Sequence, residues 1–312
     1  MIVRTELDKL PPVLREELAA AGIDVGDLYD AIETALDEDL PEPRPGEMPA
    51  EDVTSVATIP IDARARGDFA VREAGVVAGL GVAALVFHYV MGGDVEITDR
   101  VPDGTRVEPG DVVMRVAGPT RGLLTAERTA LNYATHLSGV ATATAGWVAA
   151  VAGTGAQVLD TRKTLPTYRN LQKYAVRCGG GVNHRFGLSD MALVKDNHVV
   201  AAGGVLPAYE AVRARYPDLP VEVEVTDLDQ LRQLLDAGCE RILLDNMSPE
   251  LMAEAVRLND SRGPDGRASL EASGGLTFDR AREVAETGVD FISVGALTHS
   301  VKVFDLGMDL HG

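Results

Sequence analysis

VEVEVTDLDQLRQLLDAGCERILLD, residues Val221–Asp245, decides the fold. A short apolar strand, Val221–Val225, leads into a helix over Asp227–Ala237 and a second strand over Ile242–Asp245. The same unit recurs on both sides. Strands are expected at Val158–Asp160, Ala192–Lys195, Leu270–Ser273 and Phe291–Gly295, with helices at Gly203–Tyr216, Ser248–Asn259 and Thr277–Thr287. Repeated β-α units imply a parallel sheet, open or closed into a barrel. The polar stretch 260–268 reads as a surface loop.

Upstream of Gly153 the pattern differs. Two helices with acidic outer faces are expected over Val13–Ala21 and Leu28–Leu36, followed by a proline-rich connector, Pro41–Pro49. Short runs at Thr54–Ile61, Arg66–Leu80, Val95–Asp99 and Val112–Ala117 are broken by turn signals at Pro102–Gly104 and Glu108–Asp111. They read as an antiparallel sheet accompanied by helices. Two uncharged stretches test as membrane spans. Ala74–Gly93 holds five glycines and fits a strand, a turn and a short helix. Thr129–Leu159 carries Asn132, His136 and Ser138, too polar for lipid, and fits a helix buried on several sides.

The 312 residues are 46% hydrophobic, with mean hydropathy near zero and a net charge of −19, as in a soluble globular protein. That charge argues against nucleic acid or an anionic membrane as partner. Cys178 and Cys239 form no C-x-x-C, so a disulfide framework or zinc site is not expected, and a reducing cytoplasm is the natural setting. The N-terminus has no apolar h-region.

Against this acidity, Asp160–His198 carries seven Lys/Arg and three Asp, a net +4, leaving −23 for the remainder. A basic island in an acidic chain calls for a local anionic ligand. Polar residues also recur where each β-α strand ends: Arg162 and Lys163, Lys195, Glu224, Asp245, Ser273-Gly274-Gly275 and Gly295. In a parallel barrel those ends form the active rim. Any one of them alone is equally well a surface charge, but the recurrence argues for a site.

Glu224 and Asp245, on neighbouring strand ends, suit Mg²⁺, held directly or through water; the bland alternative is ion pairing with Lys163 and Lys195. Glu222 shares the strand face of Glu224 but lies deeper, where it needs a cationic partner. Ser273-Gly274-Gly275 and the segment Gly295–His299 each close a strand and open a helix, a phosphate-binding geometry at the last two strands. Gly179–Gly181 precede His184 and Arg185, which with Arg162 and Lys195 can grip more than one carboxylate. His184 reads equally as a loop histidine capping a helix. Lys195 reads as an internal ion pair or, as rival chemistry, a Schiff base.

The strings AERTALNYATHLSGVAT (126–142), the whole of 160–198, VEVEV, LLDNM, LEASGGL and FISVGALTHS together resemble quinolinate phosphoribosyltransferases over nearly the whole chain. The resemblance implies an α/β protein of the type II phosphoribosyltransferase kind. An N-terminal α/β sandwich (1–128, joined by the tail 299–312) would precede an incomplete α/β barrel (129–298). It implies Mg²⁺-dependent phosphoribosyl transfer from phosphoribosyl diphosphate to quinolinate, giving nicotinate mononucleotide, diphosphate and CO₂ for NAD synthesis, with no organic cofactor. Arg162, His184, Arg185 and Lys195 would hold the quinolinate carboxylates. Arg128 would join them from the neighbouring subunit of a homodimer. Lys163, Glu224 and Asp245 would serve ribose, diphosphate and metal, and Ser273, Gly274, Gly275, Gly295 and His299 the phosphate end. Lys163, Lys195, Glu224 and Asp245 would be the catalytic set. The rivals are a phosphoribosyltransferase for another anionic ring, a Schiff-base aldolase using Lys195, and a non-enzymatic binder of phosphoribosyl compounds.

Overall fold

The computed structural model describes residues 3–41, 46 and 50–312, so the Pro41–Pro49 connector falls largely outside the described residues. The chain divides into two units. The first comprises Met1–Ala143, Asn170–Gly179 and Val301–Gly312; the second comprises Thr144–Arg169 and Gly180–Ser300.

The first unit opens with helices α1 (Pro12–Ala20) and α2 (Val25–Asp39). Asp24 starts α2 by accepting the N–H groups of Gly26 and Asp27. Leu28, Ile32 and Leu36, spaced at four, bury its apolar stripe. The run Thr54–Ile61, expected as a strand, is instead largely helix α3 (Val53–Thr58). Its Thr and Val content suggested a strand, but the Asp52 carboxylate accepts the Ser55 N–H at 3.0 Å and caps a helical turn.

Strands β1 (Arg64–Val71), β2 (Gly75–Val76), β3 (Glu96–Thr98), β4 (Arg106–Val107) and β5 (Val112–Pro119) follow, with helix α4 (Leu80–Met91) between β2 and β3. The run Arg66–Leu80 is thus split, two strands ending before α4. Strand β1 pairs antiparallel with β5 and with β12 (Leu306–His311), in the order β12-β1-β5-β3. Helix α4 is buried almost all round, so the uncharged stretch 74–93 holds a core helix.

Helix α5 (Thr120–Ala150) runs for 31 residues. Its polar groups replace a missing sheet partner: Ser138 Oγ accepts the Ala78 N–H at 3.0 Å and Thr142 Oγ1 accepts that of Val76 at 2.9 Å. Among the described residues no helix is long and apolar enough to cross a membrane. At Gly139 the helix has no side chain, and the backbone of Lys302 passes there; a Cβ would meet the Lys302 carbonyl. Gly139→Ala is therefore expected to cost about 1–3 kcal/mol by overpacking, despite the better helix propensity of alanine, as read from urea denaturation.

The second unit carries the parallel sheet: β6 (Gln157–Leu159), β7 (Ala192–Val194), β8 (Val221–Val225), β9 (Arg241–Asp245), β10 (Ser269–Ser273) and β11 (Phe291–Ser293). Their order is β6-β11-β10-β9-β8-β7, every pairing parallel. Strand β11 returns beside β6, while β6 and β7 are the two free ends. The sheet is an α/β barrel left open between them. Helix α6 (Arg169–Cys178) lies in this gap of sequence but belongs mostly to the first unit. The connecting helices are α7 (Asp196–Ala202), α8 (Val205–Arg215), α9 (Leu228–Asp236), α10 (Pro249–Asp260), α11 (Ala281–Ala285) and α12 (Ala296–His299). Helix α7 was not expected. Because all six strands run one way, their C-terminal ends share an edge.

Candidate active site

Period-two alternation places Val221, Val223 and Val225 on one face of β8 and Glu222 and Glu224 on the other. Strand β10 repeats this, with Leu270 and Ala272 opposite Glu271 and Ser273. Glu222 and Glu271 are 0% and 1% exposed, and two buried carboxylates need cations. His184 Nε2 lies 2.9 Å from Glu222 Oε2 and 3.4 Å from Glu271 Oε2. From β9, Arg241 reaches Glu222 at 3.5 Å and Glu271 at 3.3 Å. The cationic partner expected for Glu222 is thus a pair, His184 and Arg241. Groups on β8, β9, β10 and the 183–185 segment converge here, so the sheet curls around a polar interior.

Burial alone would lower the pKa of His184, but the Glu222 and Glu271 carboxylates outweigh it and push it up to about 9. Burial also lifts Glu271, while for Glu222 the His184 and Arg241 charges overcome burial and hold its carboxyl down. Of the two carboxylates, Glu222 is thus the more readily ionised. Among the described residues, His184, Glu222 and Glu271 are the one group whose ligand atoms lie close enough to hold a metal ion. Arg241 already pairs with Glu222 Oε1 and Glu271 Oε2, so protein cations face both carboxylates there.

The His184 loop is anchored from β6. Asp160, fully buried, accepts the His184 backbone N–H at 2.9 Å and the Asn183 amide at 2.5 Å. Above the polar interior lies a cavity of about 260 Å³. Six residues expected at the site line it: Arg162, Lys163, His184, Arg185, Lys195 and Ser273. Sequence reasoning missed Glu271 and Ser293, which also line it. The signal was available, since each breaks an apolar strand at the interior-facing position. Arg185 donates from Nη1 to the Met191 carbonyl at 2.9 Å, and its backbone N–H points at His184 Nδ1 at 2.7 Å, a contact the ring accepts only while neutral and gives up when it takes its second proton. Burial, then repulsion from Arg162, lowers the Arg185 pKa. The Arg162 Nε is buried without a hydrogen-bond partner. Two guanidiniums that repel each other around a cavity favour an anion between them.

The remaining expected residues of the second unit neighbour lining residues without lining the cavity themselves. Glu224 and Asp245 end β8 and β9. Burial, then the Asp245 charge, raises the Glu224 pKa, and Lys195 opposes them. At the other flank, Gly295 lies against Lys163 and His299; a Cβ there would stand 2.9 Å from Lys163 Cδ and 3.3 Å from His299 Nε2. Thr298 Oγ1 donates to the Lys163 carbonyl at 2.8 Å, fixing that corner. Gly274 and Gly275 follow β10, both with positive φ, +90° and +57°. Arg128 is an exposed residue of α5 in the first unit and is not among the cavity's lining residues.

Comparison with known proteins agrees over most of the chain. Residues 52–138 match the quinolinate phosphoribosyl transferase N-terminal domain, and residues 140–309 match its C-terminal domain. A nicotinate-nucleotide pyrophosphorylase (carboxylating) of Mycobacterium leprae is 51% identical over 282 residues, covering 90% of this chain and 96% of its own. The solved nicotinate-nucleotide pyrophosphorylase of Francisella tularensis superposes with a TM-score of 0.84 at 36% identity, covering 92% of this chain and 96% of its own. NadC from Streptococcus pyogenes gives 0.85 at 38% identity, covering 93% and 98%. The chain belongs to the quinolinate phosphoribosyltransferase family.

Proposed function

We propose that the protein transfers the phosphoribosyl group of phosphoribosyl diphosphate to quinolinate with loss of CO₂, giving nicotinate mononucleotide for NAD synthesis. The observation that carries this reading is the cavity holding Arg162, Arg185, Lys163, Lys195 and His184 together, in a chain whose net charge is −19. Arg162, Arg185, His184 and Lys195 grip the two ring carboxylates and orient the ring nitrogen toward the anomeric carbon. The N–C1′ bond forms as the C1′–O bond to diphosphate breaks. Positive charge developing on the ribose is stabilised by Glu224. Once ribosylated, the cationic ring accepts the electron pair left as the adjacent carboxylate departs as CO₂, and a proton takes its place.

Glu224 and Asp245 fit Mg²⁺, directly or through water, because burial and then the Asp245 charge raise the Glu224 pKa, and a cation between the two carboxylates would offset both effects. Held there, Mg²⁺ would supply positive charge to offset that of the departing diphosphate. Lys163, Ser273, Gly274, Gly275, Gly295 and His299 serve the ribose and phosphate end. Two free cysteines fit a reducing cytoplasm.

The test of substrate is direct. With phosphoribosyl diphosphate and Mg²⁺, quinolinate should yield nicotinate mononucleotide and nicotinate should not. Turnover of nicotinate alone would overturn the assignment.

Arg128, exposed on α5, is proposed to complete the site of a partner subunit in a homodimer. Mixing inactive Arg128→Ala and Lys195→Ala variants should restore about a quarter of wild-type activity, because each hybrid dimer regains one intact site of two. No recovery after subunit exchange would count against a shared site.

A further inference from the structure

Asn246 follows Asp245 directly and is one of four described non-glycine residues with positive φ, at +52°. That conformation costs an L-residue energy, and asparagine tolerates it better than most. The backbone is held there by the Asn246 N–H donating to the Ser273 carbonyl at 3.0 Å, a bond between the ends of β9 and β10. The turned backbone gives the side chain two tasks. Nδ2 donates to Asp245 Oδ2 at 2.7 Å. The amide also crowds Gly274, where an added Cβ would sit 2.6 Å from Asn246 Cγ. Gly274 is thus restricted to glycine twice, by its φ of +90° and by the Asn246 amide.

We infer that Asn246 is a positioning residue that joins the Asp245 carboxylate to the Ser273-Gly274-Gly275 loop and sets the spacing of the sugar-diphosphate subsite. The inference rests on the proposed function, which assigns both parts to that substrate. A carboxylate on a strand end has a free χ torsion, and a pair of glycines has no side chains to fix it. One amide restrains both, and it touches none of the residues that grip the ring carboxylates. Its effect should therefore fall on one substrate.

Asn246→Gly tests this, because glycine keeps the positive φ without strain and removes only the amide. The Michaelis constant for phosphoribosyl diphosphate should rise about tenfold or more, as for loss of one charge-assisted hydrogen bond. The quinolinate dissociation constant by calorimetry should stay within about twofold, and Tm should be unchanged or higher, since backbone strain is relieved. Asn246→Asp, which keeps the shape but sets a second carboxylate beside Asp245, should not rescue. An unchanged constant for phosphoribosyl diphosphate, or equal weakening of both substrates with a fall in Tm, would overturn the inference. Wild-type protein assayed alongside separates the two claims. If it does not turn over quinolinate, the proposed function fails, whereas calorimetry with phosphoribosyl diphosphate still reports on Asn246.

Discussion

Glu222→Leu is expected to destabilise the protein by about 3 kcal/mol, at the low end of the range for breaking a buried ion pair. The carboxylate is 0% exposed and faces two cations, His184 at 2.9 Å and Arg241 at 3.5 Å. Removing it leaves those charges with Glu271 as their one remaining carboxylate, whose ionisation burial opposes. That remaining partner keeps the loss from reaching the top of the range. In a protein whose total stability is on the order of 5–15 kcal/mol, such a loss is plain in a urea melt. A change below about 1 kcal/mol would mean that the Glu222 carboxylate does not hold His184 and Arg241 as a buried ion pair.

The same cluster fixes a pH dependence. His184 has its folded pKa raised to about 9, above the ordinary 6.5. A raised basic group contributes stability that is fully present below the unfolded value and is lost as pH rises through the folded one. The protein should therefore lose stability between about pH 6.5 and 9, and Glu222→Leu should flatten that slope.

Arg185→Ala is expected to weaken quinolinate binding about a hundredfold or more, as for truncating a buried charge partner, with phosphoribosyl diphosphate changed by no more than about twofold. The geometry makes this selective. Arg185 is tied to Met191 and His184 and is repelled by Arg162 across the cavity, so its interaction with a ring carboxylate is not shared with the Glu224–Asp245 flank. Calorimetry with each substrate alone checks it. The reverse pattern, with phosphoribosyl diphosphate lost and quinolinate retained, would remove Arg185 from the role given to it.

Much of this was legible in the sequence, for identifiable reasons. The β-α period located every strand of the parallel sheet to within about two residues, because each strand is a short apolar run bounded by polar ends. The rim followed from that period, since Lys195, Glu224 and Asp245 recur at one position of the unit. Glu222 could be placed below Glu224 by alternation alone. Glu271 was not placed, although the same alternation in LEAS marks it. Its meaning depends on meeting His184 and Arg241, which lie 87 and 30 positions away and are brought there only by curling of the sheet. Asn246 was hidden for a similar reason, since its positive φ is set by the Ser273 carbonyl on another strand. Helix α3 was misread because one capping carboxylate outweighed a β-prone composition. Arg169, Lys173 and Arg177, part of the basic island, have no assigned chemistry: Lys173 and Arg177 belong to the first unit, and Lys173 is fully buried in it. The island's +4 thus overstates its contribution to the site.

The central claim is that one cavity both ribosylates quinolinate and releases the carboxylate next to the new bond. Quinolinate labelled in the carboxyl group adjacent to the ring nitrogen tests it most directly, incubated with phosphoribosyl diphosphate and Mg²⁺. The account predicts one labelled CO₂ for each nicotinate mononucleotide and each diphosphate formed, with none released when phosphoribosyl diphosphate is omitted. Label retained in the nucleotide, or no nucleotide at all, would contradict it.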